Sequence, residues 1–211
     1  MAKTALIWGA SGGIGLALVK LLTTKDWQVI AVARKTESLT SFTPHVYEAD
    51  FSYPGSLQSI TAQMIQEGFQ VDWWVYAAGD IMVAPVTKMD FEQWQRILSA
   101  NLSGAYWALH CSVELLNPEA SIYFLGAVNE RIRLPGLSAY AAAKAGLEAF
   151  ADVTRKELKR SVVVVRPAAV NTPLWKKVPF KMPSNAVAPE VIAAKMWEAY
   201  QANYSGYLDL P

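Results

Sequence analysis

The chain has 211 residues, enough for one domain with a substantial core, and 53% of them are hydrophobic against 18% charged. A formal net charge of +1 without a basic block argues against nucleic acid as a partner, and no apolar run reaches the roughly 18 residues that span a bilayer. The lone Cys111 leaves no internal disulfide and no thiolate metal cluster, so we expect a cytoplasmic protein without a metal site and without membrane insertion.

The first predicted strand, residues 5–8, runs into a glycine-rich loop that opens a helix. Glycines at such a junction let the backbone approach a phosphate, and the amides of the helix N-terminus point at it. A tight turn without a ligand is the alternative, but the order of strand, loop and helix favours dinucleotide binding. The residues predicted to contact the cofactor here are Gly9, Ser11, Gly12, Gly13, Ile14 and Gly15.

The second predicted strand, residues 29–33, is followed at once by Arg34. An acid at this point would hold the ribose hydroxyls of NAD, whereas an arginine pairs with the 2′-phosphate of NADP through its planar fork. We therefore expect NADP(H) to be preferred over NAD(H), the alternative being a solvated loop cation. A third strand, residues 45–50, ends on Asp50 before Phe51, where a carboxylate can meet an adenine amino group.

The fourth predicted strand runs into small residues, and the next helix contains an interruption. Ala77, Ala78 and Gly79 leave room for a ligand at the carboxyl end of the strand, where open α/β sheets bind them. The helical stretch 91–116 is interrupted at 101–104. Asn101 is unfavourable in mid-helix, which indicates either a function or a packing role.

A fifth strand, residues 121–125, and a loop, 126–135, precede an alanine-rich helix that extends to about residue 159. It carries Tyr140 and Lys144, four residues apart and therefore on one helix face. A neighbouring ammonium is expected to lower the tyrosine pKa from about 10, which would make the phenol a proton donor and acceptor. A chance pair on a solvated helix is the alternative.

The remainder contains a sixth strand, 161–165, an irregular loop, 171–189, a helix, 189–201, and a last strand, 206–210. Seven apolar strands that alternate with helices predict an α/β fold of the Rossmann type, a doubly wound parallel sheet in a single domain, residues 1–211. We expect the substrate site to be built from the C-terminal loops, with Trp175 lining an apolar pocket.

Together these segments resemble the short-chain dehydrogenase/reductase family nearly end to end. Gly9, Gly13 and Gly15 match its cofactor-loop glycines, and residues 77–79 resemble its Asn-Ala-Gly turn. Tyr140, Lys144 and Asn101 occupy three places of its Asn-Ser-Tyr-Lys tetrad. Positions after the sixth strand that also match, and that the resemblance places at the cofactor, are Pro167, Val170 and Thr172.

The resemblance implies reversible hydride transfer between a nicotinamide and a small carbonyl or alcohol substrate. Tyr140 would donate the proton to the carbonyl oxygen, Lys144 would hold the cofactor ribose and depress the tyrosine pKa, and Asn101 would position a water. The resemblance also implies a homodimer or homotetramer.

One family residue is missing. The catalytic serine of the family lies thirteen residues before the tyrosine, where this chain has Ala127. An alanine cannot hydrogen-bond a developing oxyanion, and losing one such donor costs about 3–4 kcal/mol of transition-state stabilisation. Ser138 and Asn129 carry donors, although neither sits where the family places its serine.

Two functions therefore remain open: an NADPH-dependent reductase, and an NADP(H)-binding protein with little catalysis that acts as a sensor or interaction partner. A cofactor-free domain would leave the glycine loop and Arg34 unexplained. A Ser-His-Asp hydrolase is not supported, because His45 and His110 lack a recognisable context.

Overall fold

A computed structural model describes residues 2–211, and the described residues contain seven parallel strands in one sheet. Their order across the sheet is β3-β2-β1-β4-β5-β6-β7, which confirms the predicted Rossmann-type fold. The strands are β1 Thr4–Trp8, β2 Gln28–Ala33, β3 His45–Glu48, β4 Val71–Tyr76, β5 Leu116–Leu125, β6 Val162–Pro167 and β7 Gly206–Leu210.

Helices connect the strands and cover both faces of the sheet. The α-helices are α1 Gly13–Thr23, α2 Pro54–Gln66, α3 Phe91–Leu98, α4 Gly104–Ser112, α5 Asn129–Ile132, α6 Ser138–Leu158 and α7 Pro189–Gln201. A π-helical turn, Ser99–Ser103, joins α3 to α4, and 3₁₀ turns occupy Val113–Leu115 and Pro173–Lys177. None of the helices within residues 2–211 is long and apolar enough to cross a membrane.

The core has two layers because the central strands are buried on both faces. Trp74 and Phe124 pack with residues of α2, α4 and α6 on one face, while Trp73 and Tyr123 pack with residues of α1 and α7 on the other. Successive strand residues point to opposite faces, so adjacent tryptophans enter different layers. This explains why the strands read as continuous apolar runs rather than as alternating patterns.

Six predicted segments differ in detail. Strand β3 ends at Glu48 rather than at Asp50, and β6 spans Val162–Pro167 rather than 161–165. The stretch 91–116 is not one helix: the π turn Ser99–Ser103 lies where the sequence predicted an interruption, and α4 ends at Ser112. Strand β5 begins at Leu116 rather than 121, because Leu116 pairs with Val71 ahead of an irregularity in the register. The two predicted loops contain short helices, α5 in 126–135 and the 3₁₀ turn Pro173–Lys177 in 171–189.

The sheet topology fixes where a ligand can bind. Strand β1 pairs with β2 on one side and with β4 on the other, so the strand order reverses at β1. The connections after β1 and β4 therefore leave opposite faces of the sheet, and a crevice opens between them at the carboxyl ends of the strands.

Candidate functional site

A cavity of about 1070 Å³ lies at the carboxyl ends of the strands. It brings together nearly all the residues that the sequence predicted for cofactor binding and catalysis. Those on its wall are Gly9, Ser11, Gly12, Gly13, Ile14, Arg34, Asp50, Phe51, Ala77, Ala78, Gly79, Asn101, Tyr140, Lys144, Pro167, Val170 and Thr172. Trp175 and Ala127 also line this cavity.

The glycine loop between β1 and α1 fits a dinucleotide diphosphate. Gly9 has a φ of +85°, and a Cβ there would overlap the backbone of Ala78. A Cβ on Gly12, by contrast, would meet nothing within 4 Å, so open space lies beside the backbone at the helix start. No acidic side chain stands in the first turn of α1, and its first amides have no partner within the helix, so the N-terminus favours an anion.

Gly15 is the one predicted cofactor residue that does not line the cavity. It is buried, and a Cβ there would overlap the carbonyl oxygen of Gly9. Its small size serves the close approach of α1 to the end of β1, the packing role that a glycine fills at this point of a Rossmann loop.

The Arg34 end of the cavity combines a cation, a carboxylate and aromatic rings. The Ser52 hydroxyl and amide donate hydrogen bonds of 2.7 and 2.9 Å to Asp50 and hold the pKa of that carboxyl below its usual value. The charge of Arg34 lowers the same pKa further. Phe51 packs edge-on against Trp8, with ring centroids 6.1 Å apart, so the wall behind this end is apolar.

Tyr140 and Lys144 lie on the buried face of α6, and both are almost inaccessible to solvent. The Lys144 Nζ donates a 2.6 Å hydrogen bond to the carbonyl oxygen of Leu125, and it lies 5.6 Å from the centroid of the Tyr140 ring. The structure therefore brings the two side chains together, as their spacing predicted.

The predicted direction of the tyrosine pKa was wrong. Burial raises the pKa of Tyr140 to about 12 and lowers the pKa of Lys144 to about 8. Both shifts have one physical cause, because removing water penalises the charged form of each group. The prediction considered only the attraction between ammonium and phenolate and omitted the desolvation of both.

Asn101 is fully buried in the π turn between α3 and α4. Its Nδ2 donates to the carbonyl oxygens of Asp80, at 2.7 Å, and Ile97, at 2.9 Å. Within residues 2–211 its Oδ1 has no hydrogen-bond partner. A buried, unpaired acceptor on the cavity wall is suited to a water or a ligand donor, while the water-positioning role itself stays a prediction.

The two alternative donors do not face the cavity. Ala127 lines it, whereas Ser138 and Asn129 do not. The Asn129 Nδ2 donates instead to Glu148 Oε2 at 2.7 Å, behind the site. Neither side chain therefore stands where a missing serine hydroxyl would be replaced.

A charged group on the cavity wall was not predicted from the sequence. Asp80 is 5% exposed, and its carboxylate lies 2.6 Å from Lys177 Nζ and 3.2 Å from Arg96 Nε. Arg131 and Lys181 line the same cavity. A signal existed for Asp80, since an acid directly after the small-residue turn of a central strand must lie at the ligand-binding edge. The cations lie on other elements of the chain, and no sequence pattern predicted that they would reach this cavity.

The sequence of the chain is similar to a family model and to known proteins. The family model described as short chain dehydrogenase matches residues 3–182. An uncharacterized oxidoreductase of Staphylococcus epidermidis is 27% identical over 207 residues, which cover 91% of this chain and 90% of that protein. D-beta-hydroxybutyrate dehydrogenase of Rhizobium meliloti is 27% identical over 193 residues, 84% of this chain and 75% of the relative.

The fold is shared with solved structures as well. An alcohol dehydrogenase from the archaeon Thermococcus sibiricus, complexed with 5-hydroxy-NADP, superposes with a TM-score of 0.88. The match covers 100% of this chain and 96% of that one, at 20% sequence identity.

Proposed function

The chain belongs to the short-chain dehydrogenase family of oxidoreductases, and we propose that it is an NADPH-dependent enzyme that interconverts a small carbonyl compound and its alcohol. The observation that carries the proposal is the single cavity with the glycine loop and Arg34 among its walls and the buried pair Tyr140 and Lys144 facing the same space. Two similar proteins support it: one is named a hydroxybutyrate dehydrogenase, and the other, an alcohol dehydrogenase, was solved with a derivative of NADP.

The chain's own residues would bind and orient the cofactor. The open backbone around Gly12 and the N-terminus of α1 would hold the diphosphate. Arg34, on an exposed loop at the cavity edge, would pair with the 2′-phosphate, and its planar fork suits that oxyanion. NADPH, when bound, supplies the hydride.

Tyr140 would supply the proton for reduction. Its raised pKa, about 12, keeps the phenol protonated at neutral pH, as a general acid must be before it donates. The nearby Lys144 amine already donates a hydrogen bond to the carbonyl of Leu125, so its position is fixed. When the phenolic oxygen gives up its proton to the carbonyl oxygen, a protonated Lys144 would stabilise the resulting phenolate.

An NADP(H)-binding protein with little catalysis is the second candidate function. Ala127 favours it, because Ala127 lines the cavity at the position of the missing serine and offers no hydroxyl to an oxyanion. The two candidates share the cofactor and differ only in turnover.

Two measurements test the proposal: the first tests the cofactor assignment that both candidates share, and the second separates the candidates by turnover. In calorimetric titrations, wild type is expected to bind NADPH at least about tenfold more tightly than NADH, and Arg34→Ala to lose that preference. Arg133→Ala is the control, since Arg133 is an exposed cation outside the main cavity. Equal affinities for both nucleotides would overturn the cofactor assignment.

The second measurement follows NADPH oxidation over a panel of aldehydes, ketones and quinones. Turnover that disappears in Tyr140→Phe supports the enzyme. Tight NADPH binding without turnover in wild type supports the binding protein. The expectations of a cytoplasmic homodimer or homotetramer stay predictions, and size-exclusion chromatography with light scattering tests the assembly.

A further inference from the structure

The charged side chains around the cavity are mostly cations. Besides Arg34, Lys35 and Lys144, the cations Arg96, Arg131, Lys177 and Lys181 line it, against the two carboxylates of Asp50 and Asp80. The whole chain is almost neutral, with 19 basic and 18 acidic residues, so this surplus is local.

Arg96, Arg131 and Lys177 belong to the substrate end of the cavity rather than to the cofactor loop. Asp80, which binds both Lys177 and Arg96, accepts a bond from Asn101 on its backbone oxygen. Ile132, the neighbour of Arg131, packs in one hydrophobic cluster with Tyr140 and Ile81, and Ile81 follows Asp80 directly. The cations Arg34 and Lys35, by contrast, follow β2 near Asp50.

The cations retain donors for a ligand. Arg96 approaches Asp80 through Nε, so the two terminal nitrogens of its guanidinium are further donors. An ammonium has three donors, and Lys177 uses one of them on Asp80. In the described part of the chain Arg131 and Lys181 form no ion pair with any acidic side chain.

Asp80 holds the cations Arg96 and Lys177 in place. Its buried carboxylate pairs with two half-exposed cations, one on α3 and the other in the 3₁₀ turn Pro173–Lys177. A site of this kind is preorganised for an anion, because the positive side chains are positioned before a ligand arrives. A small neutral carbonyl would gain nothing from them.

Resting on the proposed function, we infer that the substrate is a carbonyl compound with an oxyanionic group, a carboxylate or phosphate. Arg96, Lys177 and Arg131 bind that group, while the carbonyl faces Tyr140. They are specificity-determining residues, and none of them takes part in proton transfer.

The test uses three aldehydes of similar shape: 4-formylbenzoate, 4-formylphenyl phosphate and the uncharged 4-formylbenzamide. We expect kcat/KM for at least one anion to exceed that for the amide by about tenfold or more. This is the increase expected from one charge-assisted hydrogen bond. Lys177→Gln and Arg131→Gln should each lower kcat/KM for the anion by about tenfold more than they lower kcat/KM for the amide.

Matched controls are available in the chain. Lys176→Gln changes the adjacent exposed lysine and Arg133→Gln changes a nearby exposed arginine, and neither residue lines the main cavity. Both variants should retain the preference for the anion. Which of the two anions is preferred then distinguishes a carboxylate substrate from a phosphate substrate.

A binding measurement separates this inference from the proposed function. The alcohols 4-(hydroxymethyl)benzoate, 4-(hydroxymethyl)phenyl phosphate and 4-(hydroxymethyl)benzamide are titrated into the protein, with and without NADPH, by calorimetry. Tighter binding of an anion that depends on Lys177 supports the inference even if no aldehyde is reduced, and absence of turnover then counts only against the enzyme.

Two results would overturn the inference. One is equal affinity for the anions and the amide. The other is a Lys177→Gln variant that loses NADPH affinity while binding of the anionic alcohols is unchanged, because the cations would then serve the cofactor.

Discussion

The Lys177 ammonium lies 2.6 Å from the Asp80 carboxylate, although the two residues are 97 positions apart in the chain. The contact joins the segment after β6 to the end of β4 across the cavity. The 3₁₀ turn that carries Lys177, Pro173–Lys177, has no buried residue. An ion pair to a buried carboxylate is therefore a main anchor of a segment with little apolar packing.

We expect Asp80→Asn to loosen this segment. The asparagine keeps an oxygen for the Ile81 amide, which donates to Asp80 at 2.9 Å, but loses the charge that holds Lys177. Trypsin cleavage after Lys176, Lys177 and Lys181 should accelerate by about fivefold, as for the loss of roughly 1 kcal/mol of local stability. Peptide mass analysis over time measures it.

The control for this experiment is Asp26→Asn, which changes an exposed aspartate that forms no ion pair within the described residues. Its digestion pattern should match wild type. Unchanged cleavage of the segment in Asp80→Asn would show that other contacts hold it.

The sequence predicted the fold well because the sheet is encoded locally. Runs such as the four valines at 162–165 are β-branched and apolar, and the glycine loop after β1 has a distinctive spacing. The predicted strand boundaries were less accurate where pairing with another strand determines them. Leu116, for example, belongs to β5 because it pairs with Val71.

The candidate site was predictable only in part. Its backbone elements and the Tyr140 and Lys144 pair follow from order and spacing along the chain. The ion pairs of Asp80 depend on elements that only the folded chain brings together. The direction of the Tyr140 pKa likewise depends on burial, a property of the tertiary structure that spacing on a helix does not contain.

The two glycines of the cofactor loop should respond differently to substitution by alanine. Gly9→Ala adds a Cβ that overlaps the backbone of Ala78, at a φ of +85° that alanine disfavours. It should lower the free energy of unfolding by about 2–4 kcal/mol or prevent folding. Urea denaturation followed by tryptophan fluorescence measures this loss.

Gly12→Ala is the matched variant, because its φ of −161° suits any residue and its Cβ meets nothing within 4 Å. Its stability should stay within about 1 kcal/mol of wild type. NADPH affinity should nevertheless fall about tenfold, since the methyl group enters the space predicted for the diphosphate. Undiminished NADPH binding would place the diphosphate elsewhere.

Restoring the missing hydroxyl should accelerate turnover. Ala127 is 7% exposed and lines the cavity, so Ala127→Ser adds one donor with little change in volume. We expect kcat to rise by up to about 100-fold, the reverse of losing one oxyanion donor, while NADPH affinity stays within about twofold. Steady-state kinetics and calorimetry measure the two quantities.

Ala168→Ser is the control for that variant, because it adds a hydroxyl to the same cavity on the segment after β6. It should leave kcat unchanged. Equal kcat for wild type and Ala127→Ser would show that the carbonyl oxygen of the substrate does not come within hydrogen-bond distance of the side chain at position 127.

Lys144 should impose a pH dependence on stability. Burial lowers its pKa from 10.5 to about 8, so between these values the unfolded chain holds a proton that the folded chain has released. Stability contributed by this residue must then rise with pH, by at most about 1.4 kcal/mol per unit. Below pH 8 the buried ammonium is charged, and its desolvation penalty is present in full.

The comparison is between wild type and Lys144→Met, by urea denaturation from pH 7 to pH 10. The difference in free energy of unfolding should move in favour of wild type from pH 8 upwards. Tyr140 does not disturb this window, since its pKa of about 12 keeps it protonated in the folded state, and it is present in both proteins. Lys156→Met, at an exposed position on the same helix, should show no such trend. A pH-independent difference for Lys144→Met would mean that water reaches Lys144 and that its pKa is close to normal.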